Sequence, residues 1–288
     1  MMIDSHTHIF SPDVIARRDW YAARDPFFCA LYRGVAARMV GADELIAAMD
    51  AAGIDRAVVC GWCWQDNGIC VEQNSWLMGI AQQYPTRLLA LATVQPNAGA
   101  DALCELQRCI AGGARGIGEL NADGQLFRLD DANFLALARE MSDANFPLLL
   151  HTNELVGHLY PGKGTLALAE VYAFVKQFTH LRVVLAHWGG GLPFYELMRE
   201  VRRVAQNVFY DSAASPLLYR SDIFKTILQI VGSEKILYGS DFPLLLYPKR
   251  QTEPDFAPFL EEIRALGLSA RELENILGEN AQRVWDAR

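Results

Sequence analysis

The chain has 288 residues, 51% of them hydrophobic, with 26 Lys and Arg against 34 Asp and Glu for a net charge of −8. That is ample for a large core, and an acidic balance without any Lys/Arg block or stripe argues against a nucleic-acid partner. No basic segment followed by an apolar one opens the sequence, and no run of about 18 apolar residues occurs, so no signal peptide or membrane span is expected and the chain reads as cytoplasmic.

The first predicted element is a strand over 2–6, leading into His6-Thr7-His8. In an extended strand the side chains of residues i and i+2 share a face, so both imidazoles can reach one metal ion. A long insertion over 12–40 follows, then a helix over 42–52. Seven further apolar runs read as strands, over 56–61, 88–94, 116–120, 147–151, 182–187, 208–211 and 236–240. Between them, apolar periodicity predicts helices over 74–83, 101–111, 132–144, 166–177, 194–204 and 221–231. Three more are expected over 255–266, 269–277 and 280–285. Cys60-Gly61-Trp62-Cys63 has redox spacing without a thioredoxin-like context, so these two cysteines read as small, mostly buried residues at a strand end.

The strands are continuous apolar runs, as expected of parallel strands covered on both faces. Eight of them alternating with helices predict an α/β fold, a (β/α)8 TIM barrel forming one domain over 1–288, with its site at the carboxyl ends of the strands. An open doubly wound sheet is the alternative, but it would hold the first and last strands apart. Glu119 ends the fourth strand, His151 the fifth, His187 the sixth and Asp241 the eighth. Imidazoles and carboxylates without thiolates suit a catalytic divalent ion, zinc first with manganese or iron as alternatives, one ion or two.

This pattern resembles the amidohydrolase superfamily, in the branch of the aminocarboxymuconate-semialdehyde decarboxylases and dicarboxylate lactonases, and more distantly the TatD-like hydrolases. The resemblance rests on Ile3-Asp4-Ser5-His6-Thr7-His8, Ala186-His187-Trp188-Gly189-Gly190-Gly191, Tyr238-Gly239-Ser240-Asp241-Phe242-Pro243 and Asn275-Ile276-Leu277-Gly278-Glu279-Asn280-Ala281, and spans nearly the whole chain. It implies that His6, His8 and Asp241 hold a metal and that Asp241 serves as general base. In the two-metal branch His151 and His187 would bind a second ion. In the decarboxylase branch His151 binds the single ion and His187 is catalytic. Many two-metal members bridge the ions with a carboxylated Lys on strand four. This chain has no Lys there, and Glu119 would take the bridging place, as in the TatD-like enzymes. The expectation is a metal-dependent hydrolase using a metal-activated water on an ester, lactone or amide of a small molecule. A mononuclear decarboxylase, a TatD-like nuclease and a non-enzymatic metal-binding protein are the alternatives.

Residues just past strand ends are expected to face the pocket: Trp62, Trp64 and Gln65 after strand two, Asn153 after strand five, Trp188 after strand six, and Asp211, Ser212 and Ser215 after strand seven. Trp64, Asn153, Trp188 and Ser212 are taken as substrate contacts, with His158 on the long loop that follows strand five. His180 precedes strand six and is expected on the opposite face. The three glycines Gly189–Gly191 fit no phosphate-loop spacing and read as a tight turn beside a ligand. The 244–255 stretch offers Lys249 and Arg250 as a carboxylate clamp, and the 12–40 insertion offers a surface for a homodimer.

Overall fold

The structure is a computed structural model describing residues 1–34 and 36–286. Eight parallel strands follow one another in chain order around a barrel: β1 (Ile3–His8), β2 (Arg56–Cys60), β3 (Leu88–Ala92), β4 (Gly116–Leu120), β5 (Leu148–Leu150), β6 (Val183–Leu185), β7 (Val208–Asp211) and β8 (Ile236–Leu237). The ring closes between first and last strands through backbone bonds, Ser5 N–H to the Tyr238 carbonyl at 2.8 Å and Asp241 N–H to the His6 carbonyl at 2.9 Å. The TIM barrel expected from the alternation is the fold observed, and the open sheet is excluded.

Alternation within the strands sorts the core. Ile3, Val58, Leu89, Leu91, Leu149, Val184 and Leu237 pack together with Trp285 in one cluster, while Ala57, Val59, Leu88, Ala90, Leu148, Val183 and Ile236 join the cluster shared with the helices. Trp285 lies against Gly116 at the start of β4, and Arg182, at the foot of β6, donates to the carbonyls of Arg283 and Val284. The C-terminal helix thus covers the amino-terminal end of the barrel, leaving the carboxyl end for a site.

Several boundaries differ from the sequence expectation. β1 runs on through His8, because its closing bonds to the segment after β8 extend past the apolar residues. The helix expected over 194–204 breaks at Met198 into a tight turn, Leu192–Leu197, and a helix, Arg199–Val204; three left-handed glycines and Pro193 precede it. The one over 269–277 widens over Asn275–Glu279, where Asn275 and Asn280 turn inward to bond Ser233 and Ile236.

Among its described residues the insertion forms three short helices, α1 (Pro12–Ala16), α2 (Arg18–Ala22) and α3 (Pro26–Tyr32). Asp25 fixes α3 by accepting the Phe28 N–H at 2.8 Å, and its other oxygen accepts the Gln65 N–H at 3.0 Å. An N-cap carboxylate and proline at the first helical position start a helix efficiently. The second bond docks α3 over the barrel mouth. Among the described residues no helix is long and apolar enough to cross a membrane.

Candidate metal centre

At the carboxyl end of the barrel, donor atoms from five strands converge. His6 Nε2 and His8 Nε2 stand 3.1 Å apart, and Glu119 Oε2 is 3.7 Å from each. Asp241 Oδ1 lies 3.4 Å from His8 Nε2 and 3.8 Å from His6 Nε2. The other Glu119 oxygen faces His151 Nδ1 at 2.8 Å and His187 Nε2 at 3.5 Å. His6, His8 and Glu119 form one group of potential ligands, and Glu119, His151 and His187 a second, with Glu119 shared. Atoms bound at about 2.0–2.2 Å to a common ion stand roughly 3–3.5 Å from one another, so the spacing suits coordination.

The remaining ring nitrogens are already committed. His8 Nδ1 is 3.0 Å from the Gly61 carbonyl and His187 Nδ1 is 3.0 Å from the Ala213 carbonyl, so each must donate there. His6 Nδ1 faces the buried Asp211 carboxylate at 2.8 Å. These partners assign the tautomers and turn the Nε2 lone pairs of His6 and His8 toward each other. Two lone pairs at 3.1 Å repel unless a cation or a proton lies between them. His151 Nε2 is buried with no hydrogen-bond partner among the described residues. The donor set therefore fits a divalent ion.

The charges agree. Burial pushes the Asp241 carboxyl up, but His8, His6 and His187 outweigh it and hold it at about 2. Burial likewise works against Glu119, yet His151 and His6 hold it well below its usual range. Reciprocally, Glu119 and Asp241 overcome burial to raise His187 to about 9, and Asp211 and Glu119 raise His6 well above its usual value. A buried pair of carboxylates requires positive charge beside it, from imidazolium or from a metal.

The backbone is bent to deliver these groups. His187, Trp188 and Asp241 have φ of 56°, 58° and 65°, a region that costs non-glycine residues about 1–3 kcal/mol each. The bends are held by the His187 N–H on Asp211 Oδ1 at 2.9 Å and by the Asp241 N–H on the His6 carbonyl. Gly189, Gly190 and Gly191 continue the left-handed turn, as the sequence suggested; a Cβ on Gly190 would meet the Asn153 carbonyl oxygen at 2.7 Å. Gly118, at φ 141°, packs so close to β5 that a Cβ would fall against the Leu149 carbonyl.

Above the cluster lies a chamber of about 460 Å³. His8, Glu119, His151, His187 and Asp241 form its base, with Cys63 and Asn121 beside them. Phe27, Leu31 and Tyr32 from α3, Trp62 after β2, and His158, Tyr160 and Pro161 from the loop after β5 wall it. The insertion is thus a wall of the chamber. Among the expected substrate contacts His158 lines this space, but four others do not. Trp64 turns away at a tight Trp62–Trp64 bend and packs between Tyr21 and Phe28. Trp188, swung outward by the left-handed backbone, stacks edge-on to Phe224 and donates to Ser215 Oγ at 2.9 Å. The Ser212 hydroxyl donates to the Gly239 carbonyl, and Asn153 closes the base of the loop after β5 by exchanging two bonds with Gly164. Lys249 and Arg250 are exposed and outside the lining, so they supply no clamp. His180 is exposed, before β6. Asp211 holds His6 from behind instead of facing the pocket. The α3 residues were missed, although Asp25-Pro26-Phe27-Phe28 carries a helix-start signal ahead of aromatic density.

Three solved structures have the same architecture. The 5-carboxyvanillate decarboxylase of Sphingomonas paucimobilis matches at 17% identity and TM-score 0.80, covering 100% of this chain and 99% of that one. The 5-carboxyvanillate decarboxylase of Novosphingobium aromaticivorans, complexed with manganese and 4-hydroxy-3-methoxy-5-nitrobenzoic acid, matches at 18% and 0.76, covering 100% and 96%. The 2,6-dihydroxybenzoate decarboxylase of Rhizobium matches at 18% and 0.71, covering 99% and 98%. At these identities the likeness is one of fold. The Amidohydrolase family pattern itself matches residues 3–287, and with the His-x-His pair, Asp241 and the barrel that joins them, the chain belongs to the amidohydrolase family.

Proposed function

We propose that this protein is a metal-dependent carbon–carbon lyase that releases carbon dioxide from a small aromatic carboxylic acid. The observation that carries the reading is the chamber lining. Its walls are aromatic and aliphatic, and no Lys or Arg stands among its described lining residues. A substrate carboxylate entering it finds no Lys or Arg, so its partner is an ion held by the cluster at the base. His6, His8, Asp241 and Glu119 would hold that ion, manganese or zinc, with His151 beside Glu119. When bound, the ion supplies positive charge that holds the carboxylate and withdraws electron density from the ring. The Phe27, Trp62 and Tyr32 rings favour a flat substrate and exclude water. His187, with Nδ1 fixed on the Ala213 carbonyl and the ring edge at the chamber, is placed to deliver a proton to the ring carbon. That carbon gains the proton and keeps the electron pair of the carboxyl bond as carbon dioxide leaves. The decarboxylases of like fold, one of them complexed with manganese and a nitrobenzoic acid, support this reading.

A second reading, hydrolysis of an ester, lactone or amide, is favoured by one observation: Glu119 is shared between two donor groups, as a carboxylate bridging two ions would be. Metal-loaded protein incubated with a panel of aromatic acids and aromatic lactones in ¹⁸O water tests both. Carbon dioxide release with about one bound ion per chain supports the lyase. Label incorporation into a ring-opened acid, with about two ions, supports hydrolysis and refutes the lyase.

A further inference from the structure

We propose that Asn121 is a substrate-binding residue whose side-chain amide donates a hydrogen bond to an acceptor oxygen of the molecule in the chamber. Asn121 follows Glu119 by two residues and lines the chamber with it, yet only 3% of its surface is accessible. Its Oδ1 accepts the Gly124 N–H at 2.8 Å and so caps the short helix α4 (Ala122–Gln125). That bond fixes which end of the amide is which, because an NH₂ group cannot accept from a backbone N–H. The main chain is clamped as well: the Asn121 N–H donates to Gln125 Oε1 at 3.2 Å, and the Asn121 carbonyl accepts the Gln125 N–H at 2.8 Å. Gln125 is anchored in turn, donating to the Val94 carbonyl at 2.8 Å.

The amide nitrogen is what remains. It makes no hydrogen bond among the described residues and is open to the chamber that Asn121 lines. A fixed donor that opens onto a chamber is free for a partner that arrives with the ligand. The other neutral donors are buried or less selective: the Trp62 indole nitrogen is buried. The Tyr160 hydroxyl is turned to Glu154 at 3.4 Å, and the Tyr32 hydroxyl can donate or accept. The Asn121 nitrogen can only donate. With no Lys or Arg among the described lining residues, it therefore selects for a carboxylate, carbonyl or phenolic oxygen lying beside the ligand cluster. A pre-fixed donor loses no side-chain freedom on binding, which makes the contact effective.

The choice of an aromatic acid as probe rests on the lyase reading above; the role of the amide does not. Asn121→Ser keeps a capping oxygen and removes the amide donor. Binding of benzoate and of coumarin, an aromatic lactone, is measured by calorimetry on manganese-loaded wild type and variant, with manganese affinity and Tm recorded separately. A lost bond weakens binding by about 10- to 100-fold for the charged benzoate and by about 2- to 10-fold for the neutral coumarin. The expected result is the drop proper to the probe that wild type binds, with manganese affinity and Tm unchanged. If coumarin alone binds wild type and is weakened, the lyase reading fails and the role of Asn121 stands. Equal binding of the probes to both proteins, binding of neither to wild type, or a parallel loss of manganese would each overturn it.

Discussion

Asp211 Oδ2 stands 2.8 Å from His6 Nδ1, and neither side chain is accessible to solvent. The other oxygen of the same carboxylate accepts the backbone N–H groups of His187 and Ala213. One residue on β7 thus orients a ring from β1 and steadies the bend after β6. An ionised acceptor on Nδ1 sets the tautomer of a ligating histidine and raises its basicity.

Asp211→Asn removes that charge at nearly constant shape. Manganese affinity is expected to fall by about 10- to 100-fold while the circular dichroism spectrum stays native. Titration with the metal alone reads this directly, and an unchanged affinity would mean that His6 is oriented without Asp211.

The cluster gives stability opposite pH dependences with and without metal. In chelated protein His187 is raised to about 9, so its contribution is full below its unfolded value of about 6.5 and is lost as pH rises through 9. Asp241 is held near 2, so its contribution is present above an unfolded value of about 4 and fades as pH falls toward 2. Metal must displace protons from the imidazoles, so its stabilisation grows with pH. Between pH 6.5 and 9 the Tm of chelated protein should fall, and the gap to manganese-loaded protein should widen. A constant gap in differential scanning fluorimetry would remove the histidines from the metal site.

Asp241→Asn should leave the fold intact and reduce turnover by at least about 10²-fold, because the carboxylate beside His6 and His8 loses its charge. Wild-type rates in that variant would place the reaction elsewhere.

Gly118→Ala tests the approach of β4 to β5. With the Leu149 carbonyl in the path of a Cβ, the strands must part, at a cost of about 2–4 kcal/mol. Urea denaturation should show the loss, together with weaker metal binding, since Glu119 and His151 meet across that seam.

The two tryptophans after β2 should separate stability from recognition. Trp64→Ala empties a site between Tyr21 and Phe28 and is expected to cost about 3–5 kcal/mol without changing KM. Trp62→Ala opens the chamber wall and should raise KM. The reverse pattern would show that Trp64, and not Trp62, meets the substrate.

The sequence by itself determined the barrel and the convergence of its candidate ligands. Buried parallel strands demand unbroken apolar runs, and an ionisable residue such as His151 or Asp241 at the end of such a run has to face either a partner or a ligand. That pattern is local and survives in a one-dimensional reading. What only the tertiary structure decided lies beyond the strand ends, where strand alternation no longer holds. Trp64, Trp188, Ser212 and Asn153 all follow strands, yet a tight bend, a left-handed turn and backbone hydrogen bonds point them away from the chamber. Asp211 lies in the same layer and serves from behind, because its partner His6 is 205 residues away in sequence. The wall formed by α3 depends on Asp25 meeting Gln65, and the open amide of Asn121 on Gly124 having claimed its oxygen. Such side-chain directions are set by pairings between distant segments, and no periodicity in the chain records them.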